Sequence, residues 1–294
     1  MDNWCRLEGF DRPICKAAIQ AFGAVSPDVG GPKVIQAKII PAMFFNKYSF
    51  LVESSTGSGK TIGVILGFLT RMDREIHSPQ CVIICITKDM VIKFGQEAHK
   101  IFDPVGVKVG VFYSRASELN PPVEPQSKNR SSDLKSTKKK KSPTEEEESP
   151  REALQKDMEA QMEKLRTSQV VIATPGQLLS SIKLAERKGK PIVWNALKFW
   201  VIDEVDKAVE KLYEGNHFKQ QTYDAFEKVA PHLEDRSVQL IAVSATMSKS
   251  VTIYLEDKSS DFKMPNLQNS LMADKSKNKK KKFPPARAFT FFLS

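Results

Sequence analysis

The chain has 294 residues, 40% of them hydrophobic, enough to bury one sizeable core or two small ones, and its four cysteines are too few for a disulfide framework. The first ten residues carry an early Asp2 and no apolar run, and no stretch is apolar enough to span a bilayer, so no secretory leader or membrane partner is expected and the chain reads as intracellular. Of the net charge of +10, the residues from Lys263 onward supply +7, leaving +3 for everything before them, so the basic balance belongs to the tail and does not by itself mark a nucleic-acid surface on the folded part.

Along the chain, short β-branched runs alternate with helical patterns, which predicts an α/β fold with a mostly parallel sheet and helices on both faces. The expected strands are 49–53, 81–87, 108–113, 170–173, 199–203 and 240–244. Most are continuously apolar, as strands covered on both sides must be. Residues 1–30 read as a helical lead-in, 31–262 as the main domain and 263–294 as a Lys-rich, disordered tail. After the first strand, 61–72 carries Ile62, Ile65, Leu66, Leu69 and Met72 at helical spacing. Gly63 and Gly67 share one side of that helix, where they would let it approach the sheet closely. Cys81 and Cys85 flank an apolar run without a second Cys/His pair nearby, which favours buried thiols over zinc ligands.

Segments 118–152 and 274–285 break the pattern. The first holds Pro and Ser, a lysine block at 138–141 and a glutamate block at 145–148, with too little apolar surface to offset ordering. It reads as a flexible insertion in a surface loop. The second holds the lysines at 279–282 before Pro284 and Pro285 and reads as a solvated basic tail, open to a nuclear-import or nonspecific RNA-binding role. Nucleus or nucleolus is therefore favoured slightly over cytoplasm.

Chemistry concentrates at strand ends. Ser54-Ser55-Thr56-Gly57-Ser58-Gly59-Lys60-Thr61 lies between an apolar strand and an apolar-faced helix, the setting a phosphate-cradling loop requires. Its glycines let backbone N–H groups turn onto phosphates at a helix N-terminus. Lys60 would meet the β/γ-phosphates of ATP, and the Thr61 hydroxyl would ligate Mg2+. Asp203-Glu204-Val205-Asp206 follows Phe199-Trp200-Val201-Ile202; Asp203 would act on Mg2+ and Glu204 would polarise the attacking water. Ser244-Ala245-Thr246 and Thr174-Pro175-Gly176 each close an apolar run and are weak signals taken singly.

The order and spacing of these pieces resemble the N-terminal RecA-like lobe of DEAD-box RNA helicases, from about Phe10 to Tyr254. The resemblance implies an RNA-helicase-type ATPase using ATP and Mg2+. It assigns Gln36, in Pro32-Lys33-Val34-Ile35-Gln36, to adenine recognition, with Phe22 or Trp4 as the accompanying aromatic. Ser244 and Thr246, with Asp206, would couple hydrolysis to strand separation. Ile86-Thr87-Lys88-Asp89 and Thr174-Pro175-Gly176 resemble the motifs that contact the RNA backbone, through Thr87, Lys88, Thr174, Pro175 and Gly176. Departures fall mostly on the RNA half: Ile86, Lys88 and Asp89 replace the usual Pro, Arg and Glu, Ser114-Arg115 stands after Tyr113 where Gly-Gly is usual, and Gln177 replaces an arginine. Family members continue beyond Thr246 into a second RecA-like lobe, which carries arginines that reach the γ-phosphate. The expectation is slow ATP hydrolysis and no unwinding by this chain alone, with a second lobe or an activating protein as partner. A non-catalytic RNA- or protein-binding module and a DNA-directed ATPase stay open as alternatives.

Overall fold

The computed structural model describes residues 4, 6–10, 12–25, 30–45, 49–114, 150–209, 218–230, 238–246 and 289–292. Six strands match the expected runs: β1 (Phe50–Glu53), β2 (Cys81–Ile84), β3 (Val109–Phe112), β4 (Val170–Ala173), β5 (Phe199–Ile202) and β6 (Gln239–Ser244). A further strand, β7 (Phe289–Phe292), pairs with β1. The sheet runs β3-β4-β2-β5-β6-β1-β7, with every pairing parallel.

Alternation of side chains along these strands supplies two cores. Val52, Ile83, Ile172, Val201 and Val243 face α1 (Pro13–Val25), α2 (Val34–Phe45), α3 (Lys60–Leu69) and α4 (Lys88–Phe102). Leu51, Val82, Val171, Trp200 and Ala242 point the other way, toward α5 (Pro150–Thr167), α6 (Pro175–Arg187), the short α7 (Val205–Val209) and α8 (Phe218–Val229). Both faces of each central strand are buried, which is why the runs are continuously apolar. The lead-in is part of the first core, and Arg12 fastens it there. Its guanidinium donates to Leu69 O (3.0 Å), Thr70 O (2.8 Å) and Met72 O (2.8 Å), satisfying carbonyls that the end of α3 leaves open.

Several expectations change. A strand appears inside the tail: 289–292 reads Phe-Thr-Phe-Phe, a β-prone sequence whose backbone pairs with the otherwise open edge of β1. The lysine block upstream had dominated the composition. The insertion ends earlier than expected, because α5 already begins at Pro150; 118–149, with both charged blocks, and the lysines at 279–282 lie outside the described residues. The second strand stops at Ile84, and Thr87 instead caps α4. Gly63 and Gly67 bring α3 against α2, not the sheet. A Cβ on Gly67 would stand 2.2 Å from Met43 Sδ, and one on Gly63 would stand 3.3 Å from both Gln36 Cγ and Ile39 Cδ1. Cys81 and Cys85 are free and buried, and burial pushes both thiols well up.

Candidate nucleotide-binding site

Between β1 and α3, the chain turns through Gly57 (φ 80°) and Gly59 (φ 95°), left-handed conformations that cost a residue with a Cβ about 1–2 kcal/mol. Gly59 is the N-cap of α3 and offers no side-chain hydrogen bond, so no capping group competes for the first-turn N–H groups. Those N–H groups and the positive end of the helix dipole suit an anion. Ser55 and Thr56 are exposed; Ser58 and Thr61 are half-buried, and Ser58 Oγ is shielded from solvent with no hydrogen-bond partner. Lys60 folds over the loop, donating to Ser54 O and to Ser55 O (2.8 Å). Partial burial lowers the Lys60 pKa, against the opposing pull of Asp203, Asp206 and Glu204.

Those carboxylates arrive through the sheet. β5, β6 and β1 are neighbours, with Ile202 opposite Ala242 and Glu53 opposite Ser244, so their carboxyl ends open side by side. In open α/β sheets this edge is where ligands bind. Ser54 N donates to Ser244 O (3.3 Å), tying the loop to the end of β6. Asp203 is half-buried and accepts a hydrogen bond from Glu204 N at 3.0 Å. Burial first, then the charge of Glu204, raises its carboxyl to about 6, with Lys60 and the Glu204 N–H pulling the other way. Glu204 has φ 50° without being glycine, a strained backbone for a residue next to a candidate metal ligand, and its carboxylate stands 2.6 Å from Lys207 Nζ.

Asp206 joins this edge to the end of β6. It is only 5% exposed, and its Oδ2 accepts from Thr246 N (3.2 Å) and Thr246 Oγ1 (3.0 Å). Ser244 Oγ accepts from Thr246 N (3.3 Å) and donates to Thr246 O. The residues expected to couple hydrolysis to movement therefore form one hydrogen-bonded joint.

Gln36 reaches the loop from α2. As the third residue of that helix's start, it accepts from the N–H of the capping Lys33 at 2.8 Å, half of a capping box. Its Nε2 donates to Gly59 O at 3.3 Å, and a Cβ on Gly59 would stand 2.7 Å from that nitrogen. Trp4 and Phe22, the aromatics expected to accompany Gln36, are core residues, 1% and 7% exposed. Two contacts escaped the sequence. Lys33 Nζ donates to Gly57 O (3.2 Å), and Lys207 pairs with Glu204; surface lysines carry no local pattern that would have singled them out.

Residues expected to meet RNA occupy the other half of the same edge, at the ends of β2 and β4. Thr87 caps α4 and accepts from Met90 N (3.3 Å), while Lys88 Nζ lies 5.1 Å from the centre of the Tyr113 ring. Thr174 caps α6, with Pro175 in its first turn and no side-chain cap hydrogen bond. Gly176 packs toward α8, where a Cβ would meet Gln221 Oε1 at 2.9 Å.

A glycine loop after the first strand, faced by carboxylates from the neighbouring strand ends of a parallel sheet, defines a RecA-like P-loop domain. The chain belongs to the DEAD/DEAH box helicase family, whose model matches residues 33–141 and 132–253. It is 25% identical over 229 residues to the ATP-dependent RNA helicase FAL1 of Candida glabrata, covering 78% of this chain and 44% of that protein. It is also 25% identical over 217 residues to the DEAD-box ATP-dependent RNA helicase CshC of Bacillus cereus, covering 73% and 41%. The chain thus spans less than half the length of these curated relatives. Among solved structures, the yeast DEAD-box splicing factor Prp28 superposes with a TM-score of 0.57 at 20% identity, covering 89% of this chain and 50% of that one. S. cerevisiae Dbp5 bound to RNA and ADP BeF3 gives 0.54 at 18% identity, covering 85% and 49%. These likenesses establish the RecA-like fold. Among the described residues, no helix is long and apolar enough to cross a membrane.

Proposed function

We propose that this chain is the nucleotide-binding lobe of an ATP-dependent RNA helicase, hydrolysing ATP with Mg2+ and coupling that step to RNA binding or remodelling. The observation that carries this is the convergence of Gln36, Lys60 and the Asp203–Asp206 carboxylates on one glycine loop. Gln36 spends one lone pair and one N–H on Lys33 and Gly59, keeping one acceptor and one donor. That remaining pair matches the N6 donor and N7 acceptor of adenine. Lys60 would exchange the loop carbonyls for the β/γ-phosphates, and the unclaimed N–H groups of α3 would hold phosphate oxygens. The Thr61 hydroxyl and Asp203 carboxylate are hard oxygen donors of the kind Mg2+ prefers, and the ion would neutralise charge on the phosphates. The raised pKa of Asp203 fits a carboxylate waiting for a cation. Glu204 would orient the attacking water, and the Asp206–Thr246 joint would register the change of state. Thr87, Lys88 and the Thr174-Pro175-Gly176 turn would hold the RNA backbone.

The relatives' greater length supports a requirement for a second RecA-like lobe or an activating protein. An arginine supplied in that way is worth about a thousand- to a hundred-thousand-fold in turnover. The chain alone should bind ATP, hydrolyse it slowly and leave duplexes intact. The test is fluorescent-nucleotide titration plus RNA-stimulated hydrolysis, for the wild type and Lys60→Ala, with and without Mg2+. Undiminished binding by Lys60→Ala, or turnover by the chain alone that matches two-lobed helicases, would sink the reading. A non-catalytic binding module gains support from Lys207 holding the Glu204 carboxylate; nucleotide binding without hydrolysis, even with a second lobe supplied, would favour it.

A further inference from the structure

We propose that Lys33 is a second phosphate-binding cation of this site, alongside Lys60; the inference rests on the nucleotide-binding reading above. The backbone of Lys33 is pinned. Its N–H is held by Gln36 Oε1 (2.8 Å), and its carbonyl accepts the first bond of α2 from Ala37 N (3.0 Å). The side chain then crosses from α2 to the glycine loop. Its Cδ lies 3.3 Å from where a Cβ on Gly59 would stand, and Nζ reaches Gly57 O at 3.2 Å. Both touched residues are the left-handed glycines that shape the cradle.

A lysine on a surface usually extends into water or meets a carboxylate. Lys33 is exposed, yet it lies along the loop, and among the described residues no carboxylate pairs with it. Its charge rests on a neutral carbonyl beside a loop built to receive an anion. Across the loop, Asp203, Glu204 and Asp206 act on Lys60, the other cation here. A nucleoside di- or triphosphate would add further negative charge to a site that is already acidic on one side. Lys33 offsets that charge from the α2 side, and a rotation about its terminal bonds moves the ammonium off Gly57 O toward a phosphate oxygen. Gln36 and Lys33 would then divide the work, the amide reading the base and the ammonium reading the phosphate chain. The ligand class is accordingly an adenine nucleotide with at least two phosphates.

The test is to titrate adenosine, AMP, ADP and ATP against the wild type, Lys33→Met, Lys33→Arg and Lys60→Ala, at two ionic strengths. Thermal unfolding without nucleotide serves as the check on folding. Lys33→Met keeps the stem and removes the charge. It should weaken ADP and ATP about fivefold, as expected for one exposed charge contact, and flatten the salt dependence. Adenosine should bind Lys33→Met as it binds the wild type, and Lys33→Arg should restore most of the loss. Equal weakening of adenosine and ATP would overturn the proposal and make Lys33 a clamp on the loop. Unchanged ATP binding by Lys33→Met, while Lys60→Ala loses it, would make Lys33 an ordinary surface lysine. A wild type that binds none of the four ligands would overturn both this proposal and the nucleotide-binding reading beneath it.

Discussion

Asp203 stands where burial and two neighbouring carboxylates oppose its charge, and its pKa rises from an ordinary 3.8 to about 6. Between those values, the folded state holds a proton that the unfolded chain has released, so the stability contributed by this group falls as pH rises through the window. Above pH 6, the folded protein carries the full penalty. That rise corresponds to a few kcal/mol at most, and residual hydration of a half-buried carboxylate leaves about 1–3 kcal/mol. Asp203→Asn removes the charge and keeps an oxygen to accept from Glu204 N. In chelator and without nucleotide, urea unfolding should therefore show Asp203→Asn to be more stable than the wild type by about 1–3 kcal/mol at pH 7. The gap should close near pH 4, because the remaining carboxylates titrate alike in both proteins. Adding ATP and Mg2+ should raise the stability of the wild type by linkage and leave the variant behind. A variant that is less stable at pH 7, or a gap that widens on acidification, would show that the carboxylate is not under electrostatic strain.

Thr246→Val deletes the hydroxyl that bonds the buried Asp206 and leaves only the backbone N–H on that oxygen. A loss of about 1–2 kcal/mol in urea unfolding is expected, and a neutral effect would show that water replaces the hydroxyl. Gly67→Ala should lower the melting temperature despite the better helix propensity of alanine, because its Cβ would meet Met43 Sδ at 2.2 Å. Overpacking of this kind costs about 1–3 kcal/mol, and adding Met43→Ala should turn Gly67→Ala neutral or favourable; a stabilising single change would mean that α2 has room to move.

The sheet was legible because each buried strand writes its own signature, apolar and β-branched on both faces. Phe199-Trp200-Val201-Ile202 could hardly be anything else, and Asp203 immediately beyond it marked the strand's end. The phosphate loop was equally plain, since glycines that need left-handed backbone at set spacing leave a pattern in the chain. What lay between elements was harder to read. Whether Gly67 faces the sheet or another helix depends on tertiary placement, and only the position of Met43 decides it. The strand at 289–292 was hidden by the lysines before it, because composition averages over a segment while pairing needs only four residues with an open edge beside them. Lys33 and Lys207 illustrate the remaining gap: a flexible cation acquires meaning from what its tip reaches, and local sequence does not encode reach.

The strand order also bears on protein engineering. β3, after which the charged segment 115–149 departs, and α5, by which the chain returns, lie at the edge of the sheet away from the glycine loop. Five inter-strand steps separate β3 from β1, about 24 Å at ordinary strand spacing. The entropic cost of closing a connection grows only logarithmically with its length, so a longer insert at that point should cost the fold little. For nucleotide-binding assays that junction offers a splice point for a fluorescent reporter, since cargo placed there loads the far rim of the sheet, beside Tyr113 and Lys88, and leaves β1, β5 and β6 in register.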